Sequence, residues 1–373
     1  MLNVASVGLG WWSDELAKAV QGKTDKVRIV GGTARTPAKR AAFAQRFGAH
    51  PYNSYEAVLR DPEIEGVILT TPHSLHAEHV IAAAKAGKHV FIEKPFALTA
   101  ASAARAAEAC AKAGVVLAVG HNRRFAPAAV ELKRMVDSGS FGTILHAEAN
   151  FSAPSALSYT PERWRASRIE SPAGGLAGLG IHMIDALIWL LGPVTRLVCQ
   201  ARRRAVKVDI DDTTSALLQF EAGYTGYLGT QCAAPFTSYL RVLGTDANAE
   251  ARADFTQLEM QHSGGNPQPV SLPAIDTLRA ELEAFSEACA GSRPFPVRAE
   301  EAIHGVAVME AMARSAARGG AWLDVMPAKV KRSLSKSKGS RRNAVGASRP
   351  RPSGARQSAQ RTSSRTSRKG RSG

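Results

Sequence analysis

In the first 120 residues, short apolar runs alternate with helical stretches, and nothing else in the chain narrows the fold as much. "NVASV", "VRIVGGT", "GVILTT", "HVFIEKP" and "VVLAVG" read as strands. Between them, "TPAKRAAFAQRFG" is a helix with Thr36 as N-cap and Gly48 just past its end. "SYEAVLRDPEI" is short and helical, and "SLHAEHVIAAAKAG" is a helix ended by Gly87. "TAASAARAAEACAKAG" is an alanine-rich helix capped by Thr99. Strands spaced by helices of about 10 to 15 residues mean a parallel, doubly wound α/β sheet.

After Arg124 the pattern changes. The helix "PAAVELKRMVDSG" has Pro127 in its first turn. Six longer strand-like segments follow, from "TILHAEANFS" to "AEARADF", interrupted by the apolar helix "GIHMIDALIWLLG". Two more helices, in "TLRAELEAFSEACAG" and "AEEAIHGVAVMEAMARSAARGG", close the region. Short turns between the later strands predict a large, mainly antiparallel open sheet in an α+β domain. The expected organisation is therefore residues 1–122, then 123–327, then a disordered basic tail over 328–373.

The charge balance supports that division. The net charge of +16 comes from 48 Lys and Arg against 32 Asp and Glu. Fifteen of those bases fall between Lys329 and Arg371, with no acid among them, so the rest of the chain is near neutral at +1. Ser, Arg, Lys and Gly dominate the tail, which cannot bury enough surface to offset its ordering entropy. Such a tail offers at most weak, salt-dependent contact with nucleic acid, and it lacks aromatics to stack on bases. No apolar run approaches the roughly 18 residues of a membrane helix, and the N-terminus lacks the basic start of a signal peptide. Cys110, Cys199, Cys232 and Cys289 are far apart, without a CxxC pair. Neither disulfides nor a metal site is expected, and the cytoplasm is the expected compartment.

The chemistry-bearing motifs lie where strands end. "VGLGWWS" puts Gly8 and Gly10 between a strand and a helix, the context of a dinucleotide-binding turn. The first glycine permits the turn, and the second lets backbone approach a pyrophosphate resting on the helix N-terminus. Ser13 stands at the third position, which governs helix–strand packing, while Trp11 and Trp12 suit a wall by the phosphates or the cleft. At the end of the second strand a carboxylate would hold the ribose of NAD. Here Arg35 follows Ala34, flanked by Thr33 and Thr36, with Lys39 and Arg40 one turn on. A guanidinium and hydroxyls suit a 2′-phosphate, which favours NADP and leaves NAD possible. Thr70, Thr71 and Pro72, at the carboxyl edge of "GVILTT", are candidates to line the cofactor. His76 is either a ligand-facing group or a helix-entry residue. In "FIEKPF", Lys94 ends a buried strand between Glu93 and Pro95. A lysine there is costly unless paired or used, and desolvation lowers its pKa toward a catalytic range. His182 and Asp185 share a face of the later apolar helix, and His182 is a candidate acid/base facing Lys94.

Taken in order, the glycine turn, "TTPHSLHAEH", "EKP", "GHNRRF" and "GxH" with Asp185 at +3 resemble the Gfo/Idh/MocA oxidoreductases, from residue 3 to about 325. The resemblance implies a Rossmann domain and a second domain for substrate and oligomerisation, whose open sheet makes dimers or tetramers. It implies hydride transfer between NAD(P) and a hydroxyl or ketone of a sugar, inositol or related polyol. Lys94 would orient or deprotonate the reacting hydroxyl, and His182 would relay the proton. By the same resemblance Glu93 and Asn122 belong to the cofactor side, and Arg123, Trp164, Arg165 and Asp185 to the substrate side, with Asp185 more structural than catalytic. Many members read D-x-G-x-H, but here Gly178 stands at the Asp position. That departure keeps an alternative open, a cofactor-binding sensor or scaffold with little catalysis.

Overall fold

The computed structural model describes residues 1–325; the segment expected to be a disordered tail lies outside the described residues. The first part runs β1 (Leu2–Val7), α1 (Trp11–Val20), β2 (Val27–Thr33), α2 (Pro37–Phe47), β3 (His50–Pro51) and α3 (Tyr55–Arg60). It continues through β4 (Gly66–Leu69), α4 (His76–Lys85), β5 (His89–Glu93), α5 (Ala100–Ala113) and β6 (Leu117–Gly120). These six strands form one parallel sheet in the order β3-β2-β1-β4-β5-β6. The order reverses between β1 and β4, so the loops after those strands diverge and leave the crevice where such sheets bind ligands. Central strands buried on both faces need continuous apolar runs, and all of β4 is buried. Of the expected caps, Gly48 and Gly87 have positive φ and the Thr99 side chain accepts from Ser102 N, whereas Thr36 precedes α2 without a side-chain capping bond.

The second part runs α6 (Pro127–Asp137), β7 (Ile144–Ser152), α7 (Gly180–Leu191), β8 (Val194–Arg202), β9 (Thr213–Phe220), β10 (Thr225–Gln231), β11 (Thr237–Gly244) and β12 (Ala247–Arg252). It ends with β13 (Gln257–His262), β14 (Gln268–Pro269), α8 (Thr277–Cys289), α9 (Ala299–Ala317) and β15 (Leu323–Asp324). Nine strands form the sheet β14-β13-β12-β11-β7-β10-β9-β8-β15, antiparallel except where β7 meets β10. Strands β13, β14 and β15 were not foreseen: they are short or polar and lie toward the sheet edges.

Helix α7 explains how the second part is packed. Every residue but Trp189 is buried, the mark of a helix covered on all sides. It contacts β7 and β10 below, and α6 and α9 beside it. Each of its buried Leu and Ile side chains contributes about 1.5–3 kcal/mol. The opposite sheet face stays open: β9 alternates buried Ala216 and Leu218 with exposed Leu217, and Tyr227 sits opposite Leu217. Helix α8 crosses back to the first sheet, where Phe285 meets Phe91 and Lys26 pairs with Glu283 and Glu287. The two parts are thereby clasped around one cleft.

Candidate active site

The cleft has a volume of about 620 Å³. Its floor begins at the glycine turn. Gly8 has φ +97°, and a Cβ there would sit 2.9 Å from the Thr70 backbone, so only glycine lets the β1 and β4 loops approach this closely. Thr70 Oγ1 donates to the Gly8 carbonyl at 2.6 Å and locks the approach. Gly10 caps α1, whose first backbone N–H groups are free for an anion. Ser13 is buried and its hydroxyl is 2.8 Å from that of Ser6, so the third position indeed joins helix to strand. Trp12 is half-buried and Trp11 is 72% exposed, its ring tilted on Trp12. These features fit a dinucleotide: a cradle that a side chain would fill, and helix N–H groups beside it.

The other candidate cofactor residues divide. Thr71 and His76 line the cleft, but both His76 nitrogens are spent, on the Pro95 carbonyl at 2.8 Å and the Thr71 carbonyl at 2.9 Å. His76 thus resolves as a tie between two loops, and burial holds its pKa down at about 4. Thr33 is buried with its hydroxyl donating to the Tyr52 carbonyl, whereas Arg35 and Thr36 are exposed at the start of α2. Lys39, one turn on, reaches the cleft. Pro72 and Asn122 do not line it. Asn122 is committed at both ends, its Nδ2 donating to Thr277 Oγ1 and its Oδ1 accepting from Arg123.

Lys94 sits at the junction of the two parts, next to the cis Lys94–Pro95 bond. Its Nζ donates to the Gly178 carbonyl at 2.7 Å. Burial, opposed by Glu93 and reinforced by Arg123 and Arg165, lowers its pKa to about 7. The Gly178 position therefore still serves the lysine, through backbone in place of a side chain. A carbonyl anchors the amine without adding the charge that would push its pKa back up. Glu93 is 5% exposed and burial pushes its carboxyl up; the Trp12 indole N–H lies near it outside full hydrogen-bond geometry. Behind it is an acid the sequence did not reveal. Glu281 is fully buried without a hydrogen-bond partner, and burial, then the nearby Glu93, holds its carboxyl well above the usual range.

The apolar helix α7 carries His182 into the cleft from its first turn. Arg123 Nη1 donates to His182 Nε2 at 2.9 Å, which leaves the ring proton on Nδ1. Burial, then Arg123 and Lys94, hold the His182 pKa well below the ordinary value. His182 is thus a neutral hydrogen-bonding group with Nε2 occupied, so a proton relay has to begin at Lys94. Arg123 is held in turn by Asp254, at 2.6 and 3.0 Å, and lies over the Phe151 ring. Asp254 projects from a left-handed turn in which Ala253, Asp254 and Phe255 all have positive φ. Such a turn costs about 1–3 kcal/mol per residue. Buried Phe255 and the two-point Arg123 bridge offset that cost.

One expectation is corrected. Asp185, placed with the substrate residues, is 3% exposed and absent from the cleft lining. Both its oxygens accept from Arg124, at 2.9 and 2.7 Å, so it stabilises the buried Arg124 that also bridges to Glu301.

Trp164 and Arg165 do line the cleft, on the long connection between β7 and α7. That segment also brings Ser155, Tyr159, Arg163, Ser171 and Leu179, none foreseen. Its fold rests on backbone geometry invisible in a residue pattern: Gly174 has φ +69°, and a Cβ there would collide with the Asp211 carbonyl at 1.9 Å. Glu170 fastens the segment to the first part. It accepts from the Ser74 hydroxyl and backbone N–H, while His73 Nδ1 lies 2.8 Å from the Glu170 carbonyl. His73 also meets the Trp164 ring edge-on.

A glycine cradle at the switch point, facing a half-buried lysine whose pKa is lowered toward neutrality, defines a dinucleotide-dependent oxidoreductase. Residues 2–121 match the oxidoreductase family with NAD-binding Rossmann fold, and residues 129–250 match the GFO/IDH/MocA C-terminal domain. The chain belongs to the Gfo/Idh/MocA family of NAD(P)-dependent sugar and polyol oxidoreductases. It is 27% identical to a D-xylose 1-dehydrogenase (NADP(+)) of Haloferax volcanii, over 86% of this chain and 98% of that one. It is 30% identical to the trans-1,2-dihydrobenzene-1,2-diol dehydrogenase of Mus musculus, over 65% of this chain and 73% of that one. Among solved structures, an oxidoreductase of Desulfitobacterium hafniense described as NADPH-dependent superposes with a TM-score of 0.82 at 30% identity, covering 87% of this chain and 97% of that one. No helix among the described residues is long and apolar enough to cross a membrane.

Proposed function

We propose that this chain is an NADP-linked oxidoreductase acting on a CH–OH group or ketone of a sugar or polyol derivative, with Lys94 as general acid/base. The observation that carries the reading is Lys94 itself: half-buried at the meeting of the two parts, anchored on Gly178, with its pKa lowered to about 7. As a neutral amine it donates one N–H to Gly178 and keeps its lone pair for the substrate's hydroxyl proton. In the oxidative direction the proton goes to Lys94 and onward to water, while the carbon's C–H pair leaves as hydride. The bound nicotinamide supplies the acceptor for that hydride. His182 is neutral, with its Nε2 accepting from Arg123 and its Nδ1 buried, so it fixes the Arg123 guanidinium beside Lys94. Gly8, Gly10 and the start of α1 hold the pyrophosphate.

For NADP over NAD, the support is the absence of an acid after β2 and the unpaired, exposed Arg35, with Lys39 on the cleft side of the same turn. The Haloferax relative is an NADP(+) dehydrogenase, and the Desulfitobacterium oxidoreductase is described as NADPH-dependent. The open face with Leu217 and Tyr227 suits a homodimer or homotetramer, and four free thiols suit the cytoplasm.

The test is Lys94→Ala. Turnover should fall by roughly 10²- to 10⁴-fold, the contribution of a positioned base. NADPH binding, followed by nucleotide fluorescence, should persist. An active Lys94→Ala enzyme would sink the assignment.

A further inference from the structure

Resting on the oxidoreductase reading, a positioning role for a residue behind Lys94 comes from the polar atoms enclosed there. Glu281 is 0% exposed, and neither of its carboxyl oxygens meets a hydrogen-bond partner among the described residues. Glu93 Oε2 accepts from the Lys94 backbone N–H at 3.2 Å, while Oε1 has no partner. The buried Trp12 indole N–H is left without one as well. Buried polar side chains are paired with few exceptions. Here three of the four oxygens of two neighbouring carboxyls are exceptions, next to the lysine that does the chemistry.

The fold builds this enclosure from two sides. Gly120 ends β6 opposite Glu93, and a Cβ there would come within 2.9 Å of Glu93 Oε1, so bare backbone admits the carboxyl. From the other side, α8 presents Thr277, Glu281 and Phe285, four apart and therefore on one face. Thr277 accepts from Asn122, whose neighbour Arg123 grips His182. Phe285 meets Phe91 of β5, the strand that ends in Glu93. Glu281 is thus aimed at the Glu93–Lys94 corner by a fixed contact on either side of it. An apolar side chain would fill the same space at lower cost, because an ionisable group buried without partners is destabilising.

Charge decides what the pair does. The charged groups facing it are Lys94, Arg123 with its partner Asp254, and Arg165. His121 and His182, which also feel Lys94, are held neutral by burial. Two carboxylates in one dry enclosure do not both ionise, and the surrounding cations oppose both staying neutral. Burial pushes both carboxyls up, and the charge of Glu93 pushes Glu281 further. One proton for two carboxyls satisfies both demands. Glu93 adjoins the amine and Glu281 stands one step behind, so Glu281 reaches Lys94 through Glu93.

We propose that Glu281 and Glu93 hold a single proton between them, and that Glu281 thereby spreads the negative charge away from Lys94 and keeps the amine free to take the substrate's proton. The test has two readouts on the full chain. The first is the pH dependence of oxidation with NADP+ and a sugar or polyol that is turned over. The second needs no turnover: the rate at which acetic anhydride acetylates Lys94, followed across pH by mass spectrometry of its peptide, reports the neutral amine directly. In Glu281→Gln the charge settles on Glu93 alone, so both curves should move to higher pH by about one unit. In Glu93→Gln they should move to lower pH, because the nearer charge is gone. Glu281→Met removes the acid without adding a polar atom; it should reproduce the Gln shift and melt at a higher temperature than the parent chain. If the Gln variant fails to fold, the Met variant carries the same test.

Curves unmoved in the Glu281 variants, or moved to lower pH, would overturn the proposal and reduce Glu281 to a helix-packing residue. Lost turnover with an unchanged acetylation curve would do the same. An acetylation curve that moves as stated, in a chain that turns over no compound, supports the carboxyl pair and sinks the oxidoreductase reading, so the two failures are separable.

Discussion

The two walls of the cleft are made by different means. The cofactor wall uses backbone: two glycines, a helix N-terminus and a threonine that locks one loop to the next. The wall proposed for the substrate uses side chains on a long irregular segment, held by Glu170, by Gly174 and by aromatic stacking. A backbone cradle serves any dinucleotide of the right shape, so it does not report what is oxidised. A wall of side chains on a segment fastened at few points specifies one substrate class and is easily changed in another protein. General function is therefore written in the first wall and particular function in the second.

The sharpest way to break that division is to injure each wall alone. Gly8→Val places side-chain atoms against the Thr70 backbone and forces a β-branched residue to positive φ. Cofactor affinity should fall by roughly 100-fold or more, with a stability loss of about 1–3 kcal/mol visible in thermal melts. Gly174→Ala meets the Asp211 carbonyl and should reshape only the substrate segment. Turnover should drop with NADPH affinity kept, and equal loss of both in either variant would dissolve the contrast.

A milder change acts where the walls meet. Lys94 must be neutral to take a proton, so oxidation should rise about tenfold per pH unit up to about pH 7 and level off above. Reduction needs the ammonium and should fall above that pH. Gly178→Asp fits, since a Cβ there meets nothing within 4 Å. The new carboxylate stabilises the ammonium, so the acid limb of oxidation should move to higher pH by about one unit or more. An unmoved limb would mean that Lys94 is not the titrating group. The narrowest effect, confined to the choice between two cofactors, is expected from exposed Arg35. Arg35→Ala should weaken NADP by roughly ten- to a hundred-fold and leave NAD nearly untouched. Equal losses would remove Arg35 from cofactor selection.

The same contrast explains what could be read in advance. The first sheet was legible because each strand and helix carries its own periodicity and caps, as in α5 between Thr99 and Gly114. Lys94 was legible because a lysine ending an apolar strand is anomalous by itself. Glu281 was not, because its helix has ordinary amphipathic spacing and only the crossing of α8 back to the first sheet buries it. The placing of Asp185 beside the substrate has a related cause. Its distance from His182 along α7 is local, but its partner Arg124 lies 61 residues away. Tyr159 and Arg163 were missed because nothing in a loop's composition says which side chains turn inward.

Glu170 and Trp164 lead to a last consequence. The segment carrying Arg163 and Arg165 rests on His73 and Ser74, in the loop between β4 and α4 on the cofactor side. Two ligands that bear on one shared element are energetically linked, and the linkage is reciprocal. Whatever factor the nucleotide imposes on the affinity of the sugar, the sugar must impose on the nucleotide. Loosening the Glu170 clasp changes both at once, so in this enzyme the order in which reactants bind and products leave is a property of a fastening, as much as of either site.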